Sequence, residues 1–443
     1  MTALPTEVGI EPAARLRGEL ALPGDKSISH RALMLALLAE GATRITGAGD
    51  GADVRSTAGI VEALGADVER VRRPDGNVEY VVRSHGAGSM RQPRGPLDCG
   101  NSGTSLRLFS GILAGQAMIV TLDGDGSLRS RPMARLIEPL RAMGADVDGG
   151  DGVRPPLRIA GRRPLDGIDW TTRVASAQVK SAILLAGLAA EGTTIVREPV
   201  ATRDHTERML RARGVAVRSD RGADGANIVE LGGPATVRAV DQVVPGDPSA
   251  AAFWLVAAAI HPDAEITLRS VGVNPTRRAV IDLLRRMGAS IEERGAPDDG
   301  VGEPIADLTV RASDLEAIEL SPADTATAID EIPILCLAAT RARGTTTIHA
   351  AGELRHKESD RIAGIVDGLT ALGATISADG DDIVIEGPTE LHGATVDSLG
   401  DHRLALTFAI AGLVATGRTS VRGADSVAIS YPTFFADLER IRA

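Results

Sequence analysis

Apolar residues along this chain fall into two recurring patterns. The first is an Ala/Leu-rich run, apolar on every face, that ends at a turn residue and gives way to a short β-branched run. It occurs around Gly41, Gly115, Gly192, Asp263, Gly344 and Gly417, at intervals of 71 to 81 residues. The second is a helix-like run closed by a Gly turn before another strand-like run, with turns at Gly65, Gly144, Gly214, Gly288 and Gly373. A sixth copy of it starts at Phe434 and runs out at Ala443. Glycine just past a helix, followed by alternation, marks a helix end and a strand start. Each repeat therefore predicts a β/α unit with two helices, the first of them buried because it is apolar all round.

Six units of this length are too long for solenoid repeats and too short for domains, so three per domain is the expected grouping. A larger duplication agrees with it. Leu22-Pro23-Gly24-Asp25-Lys26-Ser27 is echoed 222 residues later by Val244-Pro245-Gly246-Asp247-Pro248-Ser249. The fold class is α/β (α+β), with an N-terminal domain at 22–241 and a C-terminal domain at 1–21 plus 242–443.

The polar residues of the buried helices gather at their starts. These are Lys26-Ser27, Asn101-Ser102-Gly103-Thr104, Ser176-Ala177-Gln178, Pro248-Ser249, Asp330-Glu331 and Asp401-His402-Arg403. A helix start carries free N–H groups and partial positive charge, which suits anions. Ser249 and Thr104 are explained by simple N-capping. Lys26, Arg31 and Arg403 are not, because a cation at a helix's positive end needs an anion to hold. Arg131 precedes Pro132, which reads as a helix start. Thr202-Arg203-Asp204-His205 opens another helix. Glu353-Leu354-Arg355-His356-Lys357-Glu358-Ser359-Asp360-Arg361 opens a third, with Lys357 and Arg361 on one face beside Glu358; alone, that spacing equally describes a structural ion pair.

Net charge is −11, which argues against nucleic acid or an anionic membrane as partner, so any anionic ligand needs a local basic pocket. Cys99 and Cys336 lie in apolar runs, as buried thiols of a reducing compartment do. No apolar stretch reaches membrane-span length. Met1-Thr2-Ala3-Leu4-Pro5 lacks the pattern of a signal peptide, and a cytoplasmic protein is expected. Asp123-Gly124-Asp125-Gly126-Ser127 begins like a calcium loop but lacks its later Glu. Walker, dinucleotide and zinc spacings are absent, and no metal is expected.

The motifs Pro23-Gly24-Asp25-Lys26-Ser27-Ile28-Ser29-His30-Arg31, Asn101-Ser102-Gly103-Thr104, Arg131-Pro132-Met133, Ser176-Ala177-Gln178-Val179-Lys180-Ser181, Asp330-Glu331, Lys357-Glu358-Ser359-Asp360-Arg361 and Asp401-His402-Arg403 run in this order along nearly the whole chain. Together they resemble the 5-enolpyruvylshikimate-3-phosphate synthase (3-phosphoshikimate 1-carboxyvinyltransferase) family. The resemblance implies two domains of buried parallel helices and outer mixed sheets, with a ligand cleft between them. It implies transfer of the enolpyruvyl group of phosphoenolpyruvate to the 5-hydroxyl of shikimate 3-phosphate, releasing phosphate through a non-covalent tetrahedral intermediate. A monomer without metal or organic cofactor is expected.

By the same resemblance, Lys26, Asn101, Gly103, Arg131, Gln178, Arg361 and Arg403 bind phosphoenolpyruvate. Lys26, Ser27, Arg31, Ser176, Ala177, Gln178, Arg203, Asp330 and Lys357 bind shikimate 3-phosphate. The catalytic set is Asp330, Glu358, Lys357, Lys26 and His402. Glu358 is the carbon-directed acid and base, for which a raised pKa is expected. Either Asp330 or Lys357 takes the hydroxyl proton, and His402 either helps expel phosphate or orients its neighbours. Some members carry a second Ser where this chain has Ala177, with Arg203 in position to compensate. Some carry a Lys near the C-terminus that Ile429-Ser430-Tyr431-Pro432 lacks. Members that tolerate glyphosate carry Ala in place of Gly103. Two other readings are a UDP-N-acetylglucosamine enolpyruvyl transferase and a non-catalytic anion-binding protein of the same fold. The first pairs Lys with Asn where this chain has Lys26-Ser27 and often carries a reactive Cys. The second should lack Glu358 or one of the cations, and none is missing.

Overall fold

The computed structural model describes residues 5–73 and 78–442. Residues 1–4, which hold most of the stretch read above for a signal peptide, and the chain end at Ala443 lie outside the described residues. The chain divides into two compact units. The first comprises Gly24–Val244 with Asp298–Glu303; the second comprises Met1–Pro23, Pro245–Pro297 and Pro304–Ala443. Residues 298–303, grouped by sequence with the second half, thus belong to the first unit.

Each unit is built on three buried helices. In the first they are Lys26–Leu38, Gly103–Ala114 and Ala177–Gly187. In the second they are Pro248–Ile260, Ile332–Ala339 and His402–Val414. All thirteen residues of Pro248–Ile260 are buried, as an all-apolar helix requires. Such helices can approach closely where glycine removes a side chain. A Cβ on Gly111 would overlap the Ala182 carbonyl oxygen, so Gly103–Ala114 and Ala177–Gly187 touch through this residue. The contact sets the spacing of the two helix starts, eight and five residues upstream.

Every repeat wraps its buried helix with one small mixed sheet. In the first repeat, Glu40–Ala48 pairs antiparallel with Val78–His85, which pairs antiparallel with Asp67–Arg72. The opposite edge is taken by Gln242–Val243, parallel to Glu40–Ala48. Among the described residues, five of the six sheets have this order. In the sixth, Thr419–Arg422 is parallel to Thr395–Asp397, and its antiparallel neighbour comes from the other end of the chain. Glu7–Ile10 pairs there, Glu7 opposite Arg422 and Ile10 opposite Thr419. The chain therefore ends in the second helix of its last repeat, Phe434–Ile441, and the N-terminal strand completes that repeat. A four-residue strand carries too little pattern for sequence to reveal this.

Asp25 and Asp247, equivalent in the two echoed turns, each cap a buried helix. Asp25 accepts from the Ile28 amide at 2.9 Å and Asp247 from that of Ser249 at 2.8 Å. The predicted helix through Glu353–Arg361 is interrupted. A 3-10 turn covers Gly352–His356, and a new helix, Arg361–Ala371, starts where Asp360 accepts from the Ala363 amide at 3.0 Å. Lys357 and Arg361 therefore do not share a helical face.

Candidate active site

In the first unit, two helix starts bring a group of donors together. Arg131 donates to the Asn101 side-chain oxygen at 2.8 Å and to Ser127 Oγ at 3.2 Å, and Asn101 Nδ2 donates to Asp125 at 2.8 Å. Gln178 accepts from Arg107 Nη1 at 2.8 Å and donates to Thr104 Oγ1 at 2.9 Å. Gly103 lies under both cations: a Cβ there would stand 2.5 Å from Arg107 Nη1 and 3.2 Å from Arg131 Nη1. Burial, together with the nearby charges of Arg135 and Arg131, pushes the Arg107 guanidinium down to about 10. Asn101, Gly103, Arg131 and Gln178 are thus one cluster of donors around Arg107.

The other first-unit candidates surround the start of Lys26–Leu38. Lys26 pairs with Asp53. Arg31 is buried and uses all its nitrogens: Nε donates to Thr206 Oγ1 at 2.7 Å, Nη1 to the Ser27 carbonyl at 2.9 Å and Nη2 to Ser181 Oγ at 2.8 Å. Burial lowers its pKa to about 10; Glu207, Asp25 and Glu303 pull the other way, and Arg203 lies close enough to add repulsion. Ser176 caps Ala177–Gly187 through a long 3.4 Å contact from the Val179 amide, with Ala177 as the helix's first residue.

The second-unit candidates form an ionic cluster around Arg361, which is fully buried. It donates to Asp401 at 2.8 Å and to Glu358 at 2.5 Å, and lies 3.7 Å from Asp330. Asp401 also caps His402–Val414 through the Arg403 amide at 2.8 Å. Arg403 reaches Glu331 at 3.9 Å; burial opposes its charge, but Asp330, Glu331, Asp247 and Glu358 outweigh that and raise its pKa. Lys357 stands 2.7 Å from Glu353. The expected raised pKa of Glu358 is not found. Partial burial pushes this carboxyl up, but the Arg361 guanidinium foremost outweighs it and holds it below the usual value. Burial, then Arg403, drops the His402 imidazole to about 3, so it is neutral.

The family profile of EPSP synthase (3-phosphoshikimate 1-carboxyvinyltransferase) matches residues 10–438. A protein of Gloeobacter violaceus named 3-phosphoshikimate 1-carboxyvinyltransferase is 51% identical, with 98% of each chain covered. One of Roseiflexus castenholzii with the same name is 50% identical, covering 97% of this chain and 98% of its own. The solved structure of EPSP synthase from Acinetobacter baumannii superposes with a TM-score of 0.89 at 40% identity, over 98% of both chains. The chain belongs to the EPSP synthase family. It is an enzyme of enolpyruvyl transfer in the shikimate pathway.

Several buried cations of this family member escaped the sequence reading. Arg107 is one. Lys180 is fully buried between Glu198 at 2.9 Å and Glu207 at 2.8 Å. Arg277 donates to Ser249 Oγ at 2.9 Å and lies 3.8 Å from Glu331. The signal for Arg107 and Lys180 was a lone cation one helical turn inside an otherwise apolar helix. The acidic stretch at 123–127 is occupied by protein groups: Asp123 accepts from Arg129 and Asp125 from the Leu128 amide, each at 2.8 Å. Both cysteines are buried, which raises their thiols, Cys336 to about 12, so neither is poised as a reactive thiolate. Among the described residues no helix is long and apolar enough to cross a membrane, and no His/Cys/Asp/Glu group could hold a metal ion.

Proposed function

We propose that the chain transfers the enolpyruvyl group of phosphoenolpyruvate to the 5-hydroxyl of shikimate 3-phosphate, with the two ionic groups above as its working residues. The observation that carries the reading is Glu358 held against Arg361 within reach of Asp330 and His402. Arg131, Arg361, Arg403 and Lys26 grip the donor's phosphate and carboxylate, for which Arg offers bidentate bonds. Asn101, Gly103 and Gln178 line that grip. Arg31 and Ser27 take the acceptor's carboxylate, Ser176, Ala177, Gln178 and Arg203 its phosphate, and Asp330 and Lys357 its ring hydroxyls.

The reaction adds a proton to the donor's methylene carbon while the acceptor hydroxyl oxygen attacks the adjacent carbon and gives up its own proton. A tetrahedral adduct results. It breaks down when the methyl carbon returns its proton and the carbon–oxygen bond to phosphate cleaves. Glu358 moves the carbon-directed proton. It is ionised without substrate, and an anion bound to Arg361 offsets that cation's pull and lets the carboxyl rise toward an acid's working range. Asp330 takes the hydroxyl proton. His402, being neutral, orients its neighbours. The buried free thiols fit an enzyme working in the reducing cytoplasm. Replacing Glu358→Gln is expected to lower kcat for phosphate release by at least about a hundredfold, with shikimate 3-phosphate binding retained. Wild-type turnover in that variant would remove Glu358 from the mechanism.

A further inference from the structure

Residues 298–303 leave the second unit's hairpin, between strands Ser290–Gly295 and Ile305–Arg311, and belong to the first unit. There they hold one helix, His205–Ala212. Asp298 receives both terminal nitrogens of Arg208, at 2.8 and 2.9 Å, and the Gly302 carbonyl accepts from the same guanidinium at 3.3 Å. His205 Nδ1 lies 2.8 Å from Glu303 Oε1, both side chains about 1% exposed. The helix has no side-chain cap of its own: Asp204, at the cap position, instead accepts from Arg208 at 2.8 Å.

The next two residues of the same helix support Arg31. Thr206 Oγ1 accepts from Arg31 Nε at 2.7 Å and donates to Ser181 Oγ at 2.8 Å, which accepts from Arg31 Nη2 at 2.8 Å. Glu207 faces Lys180 at 2.8 Å. One turn of helix thus has Asp298 and Glu303 on His205 and Arg208, and Arg31 and Lys180 on Thr206 and Glu207. Polar contacts to side chains as buried as His205 and Arg208 fix orientation, and their loss is felt by whatever they orient.

We propose that Asp298 and Glu303 are positioning residues for acceptor binding: by anchoring His205–Ala212 they aim Arg31, and the Arg203 loop that leads into the helix, at shikimate 3-phosphate. Neither carboxylate touches substrate. The inference rests on the reading that Arg31 is an acceptor ligand.

The test uses the full chain with Asp298→Asn, Glu303→Gln and the pair combined. The combined variant is expected to raise KM for shikimate 3-phosphate about tenfold, the effect of losing one buried charge-assisted bond, and to leave KM for phosphoenolpyruvate and kcat unchanged. Asp298→Glu should recover part of the loss. Glu265→Gln, which removes an exposed partner of Arg311 on the neighbouring sheet, should leave all three constants alone. Hydrogen exchange at amides 205–212 should quicken in the combined variant. Unchanged exchange, an unchanged acceptor KM, or an equal loss for both substrates overturns the proposal. Arg31→Gln, measured in parallel, separates the failures. If it weakens acceptor binding and the anchor variants do not, the anchor alone is wrong; if it has no effect, the role of Arg31 is wrong.

Discussion

In the first unit, the hydrogen bonds of Arg31, Arg107 and Arg131 end on hydroxyl, amide and carbonyl oxygens. In the second, Arg361 is ringed by the carboxylates of Asp401, Glu358 and Asp330. The scaffolds are otherwise matched, down to Asp25 and Asp247 capping equivalent helices 222 residues apart. A cation bonded to neutral oxygens keeps its charge for a visiting anion. A cation bonded to carboxylates shares that charge with them and sets their proton affinity. Matched helix ends thus set Arg31, Arg107 and Arg131 among neutral oxygens in one unit and Arg361 among carboxylates in the other. The echoed turn shows how little this takes: Lys26 and Arg31 stand where the second copy has Pro248 and Phe253.

The sharpest way to break that contrast is to delete one cation from each unit. Arg361→Gln leaves Asp401 buried without its partner, which is expected to cost about 3–5 kcal/mol. Arg31→Gln leaves only neutral groups unpaired, at about 1–3 kcal/mol. Urea unfolding of the two variants measures the difference, and equal losses would mean that the two environments are not distinct.

The elements that carry this contrast were unequally legible. The six buried helices announce themselves because Ala/Leu runs closed by a turn leave few alternatives. Their polar starts are legible because so few polar residues occur in those runs. The environment of Glu358 was not legible: residue type shows a carboxylate, and only the fold shows that Arg361 and His402 surround it. The spacing of Lys357 and Arg361 misled because Asp360 restarts the helix between them, a capping signal present in the sequence but weaker than the four-residue spacing. The anchor at 298–303 lay beyond reach, since Ala296-Pro297-Asp298-Asp299-Gly300 has the composition of any exposed loop.

Within the first unit, Gly103→Ala tests whether neutral partners leave the cations free to adjust. The new Cβ meets only the ends of the Arg107 and Arg131 side chains, so both shift and the protein stays folded. The donor grip loosens: KM for phosphoenolpyruvate is expected to rise at least about tenfold. Glyphosate is expected to compete with phosphoenolpyruvate in the wild type and to lose more affinity than the donor does in the variant. A wild type insensitive to glyphosate, or a variant with unchanged inhibition, would contradict this geometry.

Each unit also buries a histidine whose pKa is driven well down, His30 in the first and His402 in the second, and here the two should behave alike. His30 lies 2.6 Å from Thr57, and burial, with Lys26 and Arg31, holds it well below its usual pKa; His402 is dropped to about 3. An unfolded chain takes up these protons below about pH 6.5, and the folded one does not. The unfolded state therefore binds more protons there, and folding stability falls as pH drops from about 6.5 toward 3. His349, half-buried and raised by Asp382 and Glu319, contributes in the opposite direction as pH rises. Glu358 and Asp401, both lowered, add losses at more acid pH, and Asp437, raised by burial, opposes them, so the difference between wild type and each histidine variant over pH 6.5 to 4.5 isolates that histidine. In that window, His402→Gln should reduce the slope of stability against pH by at most about 1.4 kcal/mol per unit, and His30→Gln should do the same. A slope that responds to one and not the other would mean that one imidazole is charged in the folded protein, and that the carboxylates of its own unit hold the proton there.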